Sequence, residues 1–172
     1  KNDKLEYYFK ALKTSEELGD KKEIAKNFGN IGIVYYKQAD FTKALDYYLK
    51  ALKMNEELGN KHNAAVWLSN IGLLYTNTGR FKEAEEYLTK AIAIDIAIGA
   101  KHYLRDAYEF ISELYDTTGR YELALIHYKK AMALKDTLLS QENKKELLRK
   151  EMNFELERKK AAAKAEQDKE DS

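Results

Sequence analysis

The sequence predicts an all-α solenoid, a row of antiparallel helix hairpins with one long C-terminal helix. The 172-residue chain has no proline and only eight glycines, which suits long helices joined by short turns because proline interrupts a helix. Three segments that begin at Asn30, Asn70 and Phe110 align without gaps at a spacing of 40 residues, and neighbouring segments share nine of 22 aligned residues. A fixed period of this length indicates stacked, repeated units.

The residues that recur explain why the units form hairpins. Gly32, Gly72 and Ser112 occupy one small-residue position. Three residues later each segment has tyrosine, and an aromatic residue and two alanines then recur in register at Phe41, Phe81 and Tyr121, at Ala44, Ala84 and Ala124, and at Ala51, Ala91 and Ala131. Small residues beside large aromatic ones allow two helix backbones to approach while the rings fill the space around them.

Each unit is predicted to contain two helices. The chain begins with a lone second helix over 5–18, and we expect it to be a piece of a longer protein that starts halfway through a unit. First helices are predicted over 22–37, 61–77 and 102–117, and second helices over 41–58, 81–98 and 121–138. The short turns ADF, TGR and TGR join them, and Gly19, Gly59 and Gly99 close the second helices in a left-handed conformation.

These elements divide the chain into a solenoid over 1–138 and a tail over 139–172. The solenoid comprises a half repeat over 1–19 and full repeats over about 20–59, 60–99 and 100–138. The tail is predicted to be a capping or connector helix, polar and frayed after residue 158. Leu147, Leu148, Met152 and Leu156 are expected to cover the last repeat. Ser140 would cap this helix, or else helix would continue unbroken from Tyr121 because no glycine follows at the expected position.

Composition excludes several classes of function. A net charge of +1 argues against nucleic acid as a partner, because phosphate binding requires a surplus of cations. The absence of cysteine excludes disulfides, thiolate catalysis and cysteine-based zinc sites. No apolar run is long enough to span a membrane, so no membrane contact is expected from this segment. No catalytic constellation, metal site or cofactor site is recognisable, and the segment is predicted not to be an enzyme.

The repeat pattern resembles that of the tetratricopeptide repeat family over residues 1 to 138. The positions that match in the first full unit are Phe28, Ile31, Gly32, Tyr35, Phe41, Ala44, Tyr48 and Ala51. Two features depart from the family pattern, since the period is 40 rather than 34 and the proline that often closes a unit is missing. Such a long period resembles the repeats of kinesin light chains and of bacterial signalling proteins. The resemblance implies a right-handed superhelix with a concave groove that binds peptides or helices.

The same resemblance implies which side chains line that groove. The family uses five positions of each first helix, which here correspond to Lys26, Gly29, Ile33, Tyr36, Lys37, Val66, Ser69, Leu73, Thr76, Asn77, Asp106, Glu109, Glu113, Asp116 and Thr117. This lining changes from apolar and weakly basic to acidic. Four carboxylates on one helix face repel one another. They are interpreted either as the docking site of a basic or amphipathic segment or as a solvated helix face.

The tail resembles, more weakly, the connector that follows such repeats in Bacteroidetes-type sensor proteins. There it leads into a membrane helix and a histidine kinase, nucleotide cyclase or DNA-binding output domain. The resemblance implies a noncatalytic interaction scaffold within a bacterial signalling protein, with the repeats on the periplasmic side of a membrane or, alternatively, in the cytoplasm. A second hypothesis is a self-association module, in which the C-terminal helix of one copy docks in the groove of another.

Overall fold

The computed structural model describes residues 3–135 and 141–170, which form eight α-helices and no strand. The helices are α1 (Asp3–Leu18), α2 (Lys21–Lys37), α3 (Phe41–Glu57), α4 (Lys61–Asn77), α5 (Phe81–Ile98), α6 (Lys101–Thr117), α7 (Tyr121–Ala133) and α8 (Gln141–Glu170). Within these ranges, no helix combines the length and the apolar character needed to cross a bilayer. The predicted all-α solenoid is therefore confirmed.

The 40-residue period appears directly in the helix starts. First helices α2, α4 and α6 begin at Lys21, Lys61 and Lys101, and α8 begins one further period later at Gln141. Several starts are fixed by a preceding side chain that accepts hydrogen bonds from free backbone N–H groups. Asp20 caps α2 in this way, and Asn60 caps α4 through the N–H of Asn63.

The turns between helices depend on residues with positive φ. Gly19, Gly59 and Gly99 follow the second helices with φ between 66° and 69°, as predicted. The turns inside the hairpins use the same conformation at Ala39, Gly79 and Gly119. Ala39, with φ of 59°, is the one non-glycine residue with positive φ in the described part of the chain. A Cβ atom makes this conformation unfavourable, so Ala39 is a strained position in an otherwise regular turn.

Hairpin packing confirms the role of the small residues. A Cβ atom added to Gly32 would lie 2.6 Å from the ring of Tyr48, and one added to Gly72 would lie 2.5 Å from Leu88. In the third unit Ser112 replaces glycine, and its hydroxyl donates a 2.7 Å hydrogen bond to the carbonyl of Ala124. The recurring alanines of α3, α5 and α7 are fully buried at these contacts. Close backbone approach therefore holds the two helices of each unit together.

The last second helix is shorter than predicted. Helix α7 ends at Ala133, not at residue 138. The backbone N–H groups of Leu134 and Lys135 donate to the carbonyls three residues earlier, so the helix closes in a tightened turn and lacks the glycine turn of the other units. Helix therefore does not run unbroken from Tyr121. The proposed cap Ser140 lies outside the described residues.

Helix α8 packs on α7 with only one of the four predicted apolar side chains. Leu147 is partly buried, whereas Leu148, Met152 and Leu156 are exposed. The inner face of α8 instead uses Phe154, which is partly buried. It also uses Lys150, whose side chain packs over the ring of Tyr128. The expectation that Leu148, Met152 and Leu156 cover the last repeat is therefore wrong, because a charged side chain with a long aliphatic stem takes the central position.

Candidate functional site

Side chains of successive first helices meet on one face of the solenoid. The Nδ2 of Asn77 on α4 donates a hydrogen bond to the hydroxyl of Tyr36 on α2. Burial raises the pKa of Tyr36, the nearby carboxylate of Glu113 on α6 raises it further, and the bond from Asn77 lowers it. Three units thus contribute to one continuous surface, which we call the first-helix face.

The first two units supply the apolar part of this face. Ile33, Tyr36, Val66 and Leu73 are all partly buried, so each keeps some surface accessible. Ile33 also lines a cleft of about 480 Å³ between α1 and α2, which Tyr8 and Lys37 border. Partly exposed aliphatic and aromatic groups of this kind can accept apolar side chains of a ligand.

The remaining predicted residues of these units differ in accessibility. Lys26, Lys37 and Asn77 are exposed. Ser69 is buried between helices, with 7 % of its surface exposed. Thr76 is buried too, and its hydroxyl donates to the carbonyl of Gly72. The face therefore presents Lys26, Lys37 and Asn77 to solvent, while Ser69 and Thr76 contribute to helix packing.

A polar cleft between α2 and α4 contains residues that sequence reasoning did not identify. It has a volume of about 310 Å³ and includes the predicted residues Lys26 and Val66. It is otherwise lined mainly by amide side chains and by Trp67, whose ring lies directly against the backbone of Gly29, where no Cβ would fit. The missed residues are Lys22, Glu23, Asn30, Asn55, Asn60, Asn63 and Trp67. The recurrence of asparagine at positions 30 and 70 was the signal available in the sequence.

The acidic stripe of α6 is largely compensated by cations of the same chain. The guanidinium of Arg105 lies 2.7 Å from the carboxylate of Asp106, and the ammonium of Lys135 lies 3.3 Å from that of Glu109. Glu113 is exposed and has no ion pair within the described residues. Three of the four carboxylates of the stripe are thus paired within the described residues, Asp116 with α8, and one is free.

Helix α8 supplies the cations that face the end of the stripe. The Nη2 atom of Arg149 lies 2.6 Å from Oδ2 of Asp116 and 2.8 Å from Oε1 of Glu146. Both bonds raise the pKa of Arg149, while the bond from Arg149 lowers the pKa of Glu146. Lys150 is only 4 % exposed, and its Nζ lies 3.7 Å from Asp116. The cations of α8 therefore neutralise the carboxylate of Asp116 on α6.

A cleft of about 260 Å³ remains between α6, α7 and α8. The acidic residues Glu109, Glu113 and Asp116 line it together with Arg149 and other residues of α7 and α8. Oδ1 of Asp116 is buried and receives no hydrogen bond from any described residue, whereas Oε1 of Glu109 lies 3.3 Å from the ammonium of Lys135. A buried acceptor without a donor is unfavourable. The cleft thus holds one acceptor, Oδ1 of Asp116, that a ligand carrying an N–H donor would satisfy.

The described part of the chain shows no constellation for metal binding. No group of three or more histidine, aspartate and glutamate side chains is arranged to hold a metal ion there. His62 and His102 both pack edge-on against the ring of Tyr103. His127 lies between Tyr108 and Tyr115, and burial lowers its pKa. The histidines therefore have packing partners.

Comparison with known proteins identifies the repeats. The family model described as "Tetratricopeptide repeat" matches residues 23–97 and 63–137. A search of curated proteins finds no significant match.

Three solved structures illustrate the shared fold. BtubC (BKLC) from P. vanneervenii superimposes with a TM-score of 0.70 and 18% identity, over 92% of this chain and 72% of its own. The N-terminal domain of stress-induced protein-1 (STI-1) from C. elegans superimposes with a TM-score of 0.61 and 19% identity, over 77% of this chain and 98% of its own. The Arabidopsis OM64 TPR domain superimposes with a TM-score of 0.60 and 23% identity, over 76% of this chain and 96% of its own.

These structural similarities show the fold alone. The family match covers more than half of the chain. Helices α2 to α7 repeat every 40 residues, and the small residues at positions 32 and 72 lie at the contacts between the helices of each hairpin. The chain belongs to the tetratricopeptide repeat family.

Proposed function

We propose that the chain is a noncatalytic scaffold that binds a peptide or helix of a partner protein along the first-helix face. The observation that carries this proposal is the composition of that face. Partly exposed apolar groups of α2 and α4 adjoin a cleft in which Glu113 is an exposed carboxylate without an ion pair among the described residues and Oδ1 of Asp116 is buried without a hydrogen-bond donor. Exposed apolar groups and an unsatisfied buried acceptor both cost stability until a ligand covers them.

The expected ligand is amphipathic, with apolar anchors at one end and Lys or Arg at the other. Ile33, Tyr36 and Leu73 would receive the apolar anchors. Glu113, the free carboxylate of the stripe, would meet the basic end together with the unsatisfied Oδ1 of Asp116 beside it. Charge on the wall of a groove chiefly governs encounter rate and specificity, so binding should weaken as salt concentration rises.

The broader context is also a proposal. We place the repeats within a larger bacterial signalling protein, because the tail resembles the connector of sensor proteins with kinase, cyclase or DNA-binding output domains. In that arrangement the repeats lie on the periplasmic side of a membrane, with a cytoplasmic location as the alternative. Ligand binding to the repeats would be transmitted through α8.

Self-association is the second candidate function, and one observation bears on it. The bases of α8 do complement the acidic stripe, since Arg149 and Lys150 both contact Asp116. These contacts are made within one chain, however, and they explain the charge complementarity without a second copy. Light scattering across a hundredfold dilution separates the candidates, because a scaffold that acts alone stays monomeric while exchange of α8 between copies gives dimers.

The main experiment is selection of peptides from a random displayed library by the intact chain. We expect selected peptides to combine apolar residues with Lys or Arg. Each is then titrated against Leu73→Ala, against Glu113→Lys and against a matched control, Ile96→Ala. Ile96 is an exposed side chain of a second helix, away from the first-helix face. Roughly tenfold weaker binding for the first two variants and unchanged binding for the control supports the proposal, and three equal affinities would contradict it.

A further inference from the structure

Helix α8 has the register of a first helix in a fourth unit. It begins one period after α6 and packs on α7, as α6 packs on α5. The other first helices end in turns that contain Ala39, Gly79 and Gly119. Lys159 stands at the corresponding position of α8, and the helix continues past it to Glu170. Helix α8 therefore follows the repeat at its start and departs from it at its end.

One side of α8 carries an exposed apolar row. Leu148, Met152 and Leu156 are 56 %, 63 % and 52 % exposed. Residues four apart lie on one face of a helix, so these three form a single strip about 12 Å long. The opposite side, which contains Lys150 and Phe154, faces the solenoid. The exposed row is thus a defined surface, separate from the packing of α8 on its own chain.

The repeat register shows which surface this is. Met152 stands one period after Ser112, two after Gly72 and three after Gly32. In each full unit that position faces the second helix of its own hairpin, through Ala124, Leu88 and Tyr48 respectively. The exposed row of α8 therefore lies on the side where an antiparallel helix packs in the other units. No described residue covers it here.

The side chain at this position sets how close a covering helix can come. Gly32, Gly72 and Ser112 allow backbones to meet, whereas Met152 keeps another helix at the distance of side-chain contact. Methionine adapts its shape to different apolar partners. The row is therefore suited to a separate helix that packs with its own apolar side chains, and not to the tight hairpin of a further repeat.

Two uncompensated charges bracket the row. Lys145 precedes Leu148 by three residues and Lys159 follows Leu156 by three, so both lie on the same face. Neither has an ion pair within the described residues. Two of the flanking charges are paired, since Arg149 binds Asp116 and Glu146, and Glu155 lies 3.2 Å from Arg158. The free charge of this face is positive at both ends.

We propose that this surface, defined as the outer face of α8 and formed by Lys145, Leu148, Met152, Leu156 and Lys159, binds an amphipathic helix of a different protein. The partner helix presents three apolar residues at matching spacing, bracketed by Asp or Glu. This site is distinct from the first-helix face, and its expected ligand has the opposite charge.

A second copy of α8 does not fit the same surface. In an antiparallel pair centred on Met152, Lys145 of one copy would face Lys159 of the other. In a parallel pair in register, each lysine would face its own equivalent. Like charges meet in both arrangements, and like charges directly opposite each other are destabilising. Charge complementarity therefore favours an acidic partner helix over self-pairing.

The test uses two synthetic 21-residue helical probes that carry a fluorophore. Both have leucine at positions 7, 11 and 15. One has glutamate at positions 4 and 18, and the other has lysine there. Anisotropy titrations with the intact chain are expected to give saturable binding of the glutamate probe and roughly tenfold weaker binding of the lysine probe.

Variants of the chain locate the binding site. Lys145→Glu combined with Lys159→Glu should reverse the preference between the probes, and Met152→Gln should weaken binding of both by roughly tenfold. The matched control changes Lys53 and Lys164 to glutamate, which gives the same change in net charge away from this face. It should leave the discrimination between the probes unchanged.

Two results would overturn the proposal. Equal affinity of both probes, or affinities that do not respond to the face variants, would show that the surface does not select an acidic helix. Dimers that disappear in Met152→Gln would show that a second copy occupies it. Leu73→Ala should not affect binding of the glutamate probe, whose charge is opposite to that expected for a ligand of the first-helix face. Failure of this site and failure of the first-helix face are therefore distinguishable.

Discussion

Asp95 is a buried carboxylate that the fold does not compensate, and replacing it with asparagine should stabilise the chain. The side chain is 1 % exposed, and neither oxygen receives a hydrogen bond from a described residue. One period earlier Asn55 occupies the same place and donates a 2.7 Å hydrogen bond to the carbonyl of Ala51. An ionised carboxylate cannot donate in this way, so the aspartate is a misfit at a position suited to a donor.

The size of the effect follows from the pKa. Burial raises the pKa of Asp95 from 3.8 to about 6; His62 on α4 lowers it somewhat, and Asp106 on α6 raises it. A shift of this size corresponds to about 3 kcal/mol. Because the folded state binds the proton more tightly, the penalty is absent below about pH 4, grows between pH 4 and pH 6, and is fully present above. Asp95→Asn should therefore raise the free energy of unfolding by about 2–3 kcal/mol at pH 7.5.

Urea denaturation at pH 7.5 and pH 4 measures this effect. At pH 7.5 the gain should also appear as a rise of roughly 5–10 °C in Tm, and at pH 4 it should be much smaller. Asn55→Asp is the reciprocal control, since it should lose a similar amount at pH 7.5. Equal stabilisation by Asp95→Asn at both pH values, or none at either, would refute the reasoning.

Four other substitutions or truncations test the packing and the surface charges. Ala39→Gly should stabilise the chain by up to about 1 kcal/mol, because glycine adopts a positive φ without strain. Gly79→Ala should destabilise the chain for the same reason. A thermal melt in which Ala39→Gly lowers Tm or Gly79→Ala raises it would contradict the turn geometry. Ala84→Leu should cost about 1–3 kcal/mol by overpacking a fully buried contact, measured by chemical denaturation. Removing residues 159–172 should change Tm by less than about 2 °C, because residues 159–170 are exposed, and a larger fall would reveal an unseen packing role.

The regular part of the fold could be predicted because local and long-range signals agree there. The small residues at positions 32, 72 and 112 and the glycines at 19, 59 and 99 locate both hairpin contacts and turns. The starts of α2 to α7 lie within one residue of the predicted positions. Ala39 escaped attention because alanine carries no sign of a left-handed conformation, and only its alignment with Gly79 and Gly119 marks it.

The last quarter of the chain was harder to predict because α8 has apolar residues on more than one side. Leu147 and Leu148 are adjacent in sequence yet lie on different sides of the helix, and packing selects Leu147 together with Phe154. The ion pair between Arg149 and Asp116 joins residues 33 positions apart, so no local sequence pattern predicts it. The acidic stripe was recognisable from spacing alone, but its internal neutralisation depends on where α8 lies.

The site residues show the same division. Side chains predicted to line the groove do meet between successive first helices, as Tyr36 and Asn77 demonstrate. The alignment of the three repeat segments does not show which individual positions are buried. Ser69, predicted to line the groove, is buried. The series Ser15, Asn55 and Asp95 recurs every 40 residues, which was a signal for a buried polar position that sequence reasoning overlooked.

Backbone amide hydrogen exchange, measured with and without a saturating library-selected peptide, tests the central claim most directly. Binding along the first-helix face should slow exchange in α2 and α4 around Ile33, Tyr36 and Leu73, and in α6 around Glu113. Exchange in the exposed turns of α3 and α5 should stay unchanged. Protection confined to α3, α5 and α7, with α2, α4 and α6 unaffected, would show that the ligand binds elsewhere and would contradict the account.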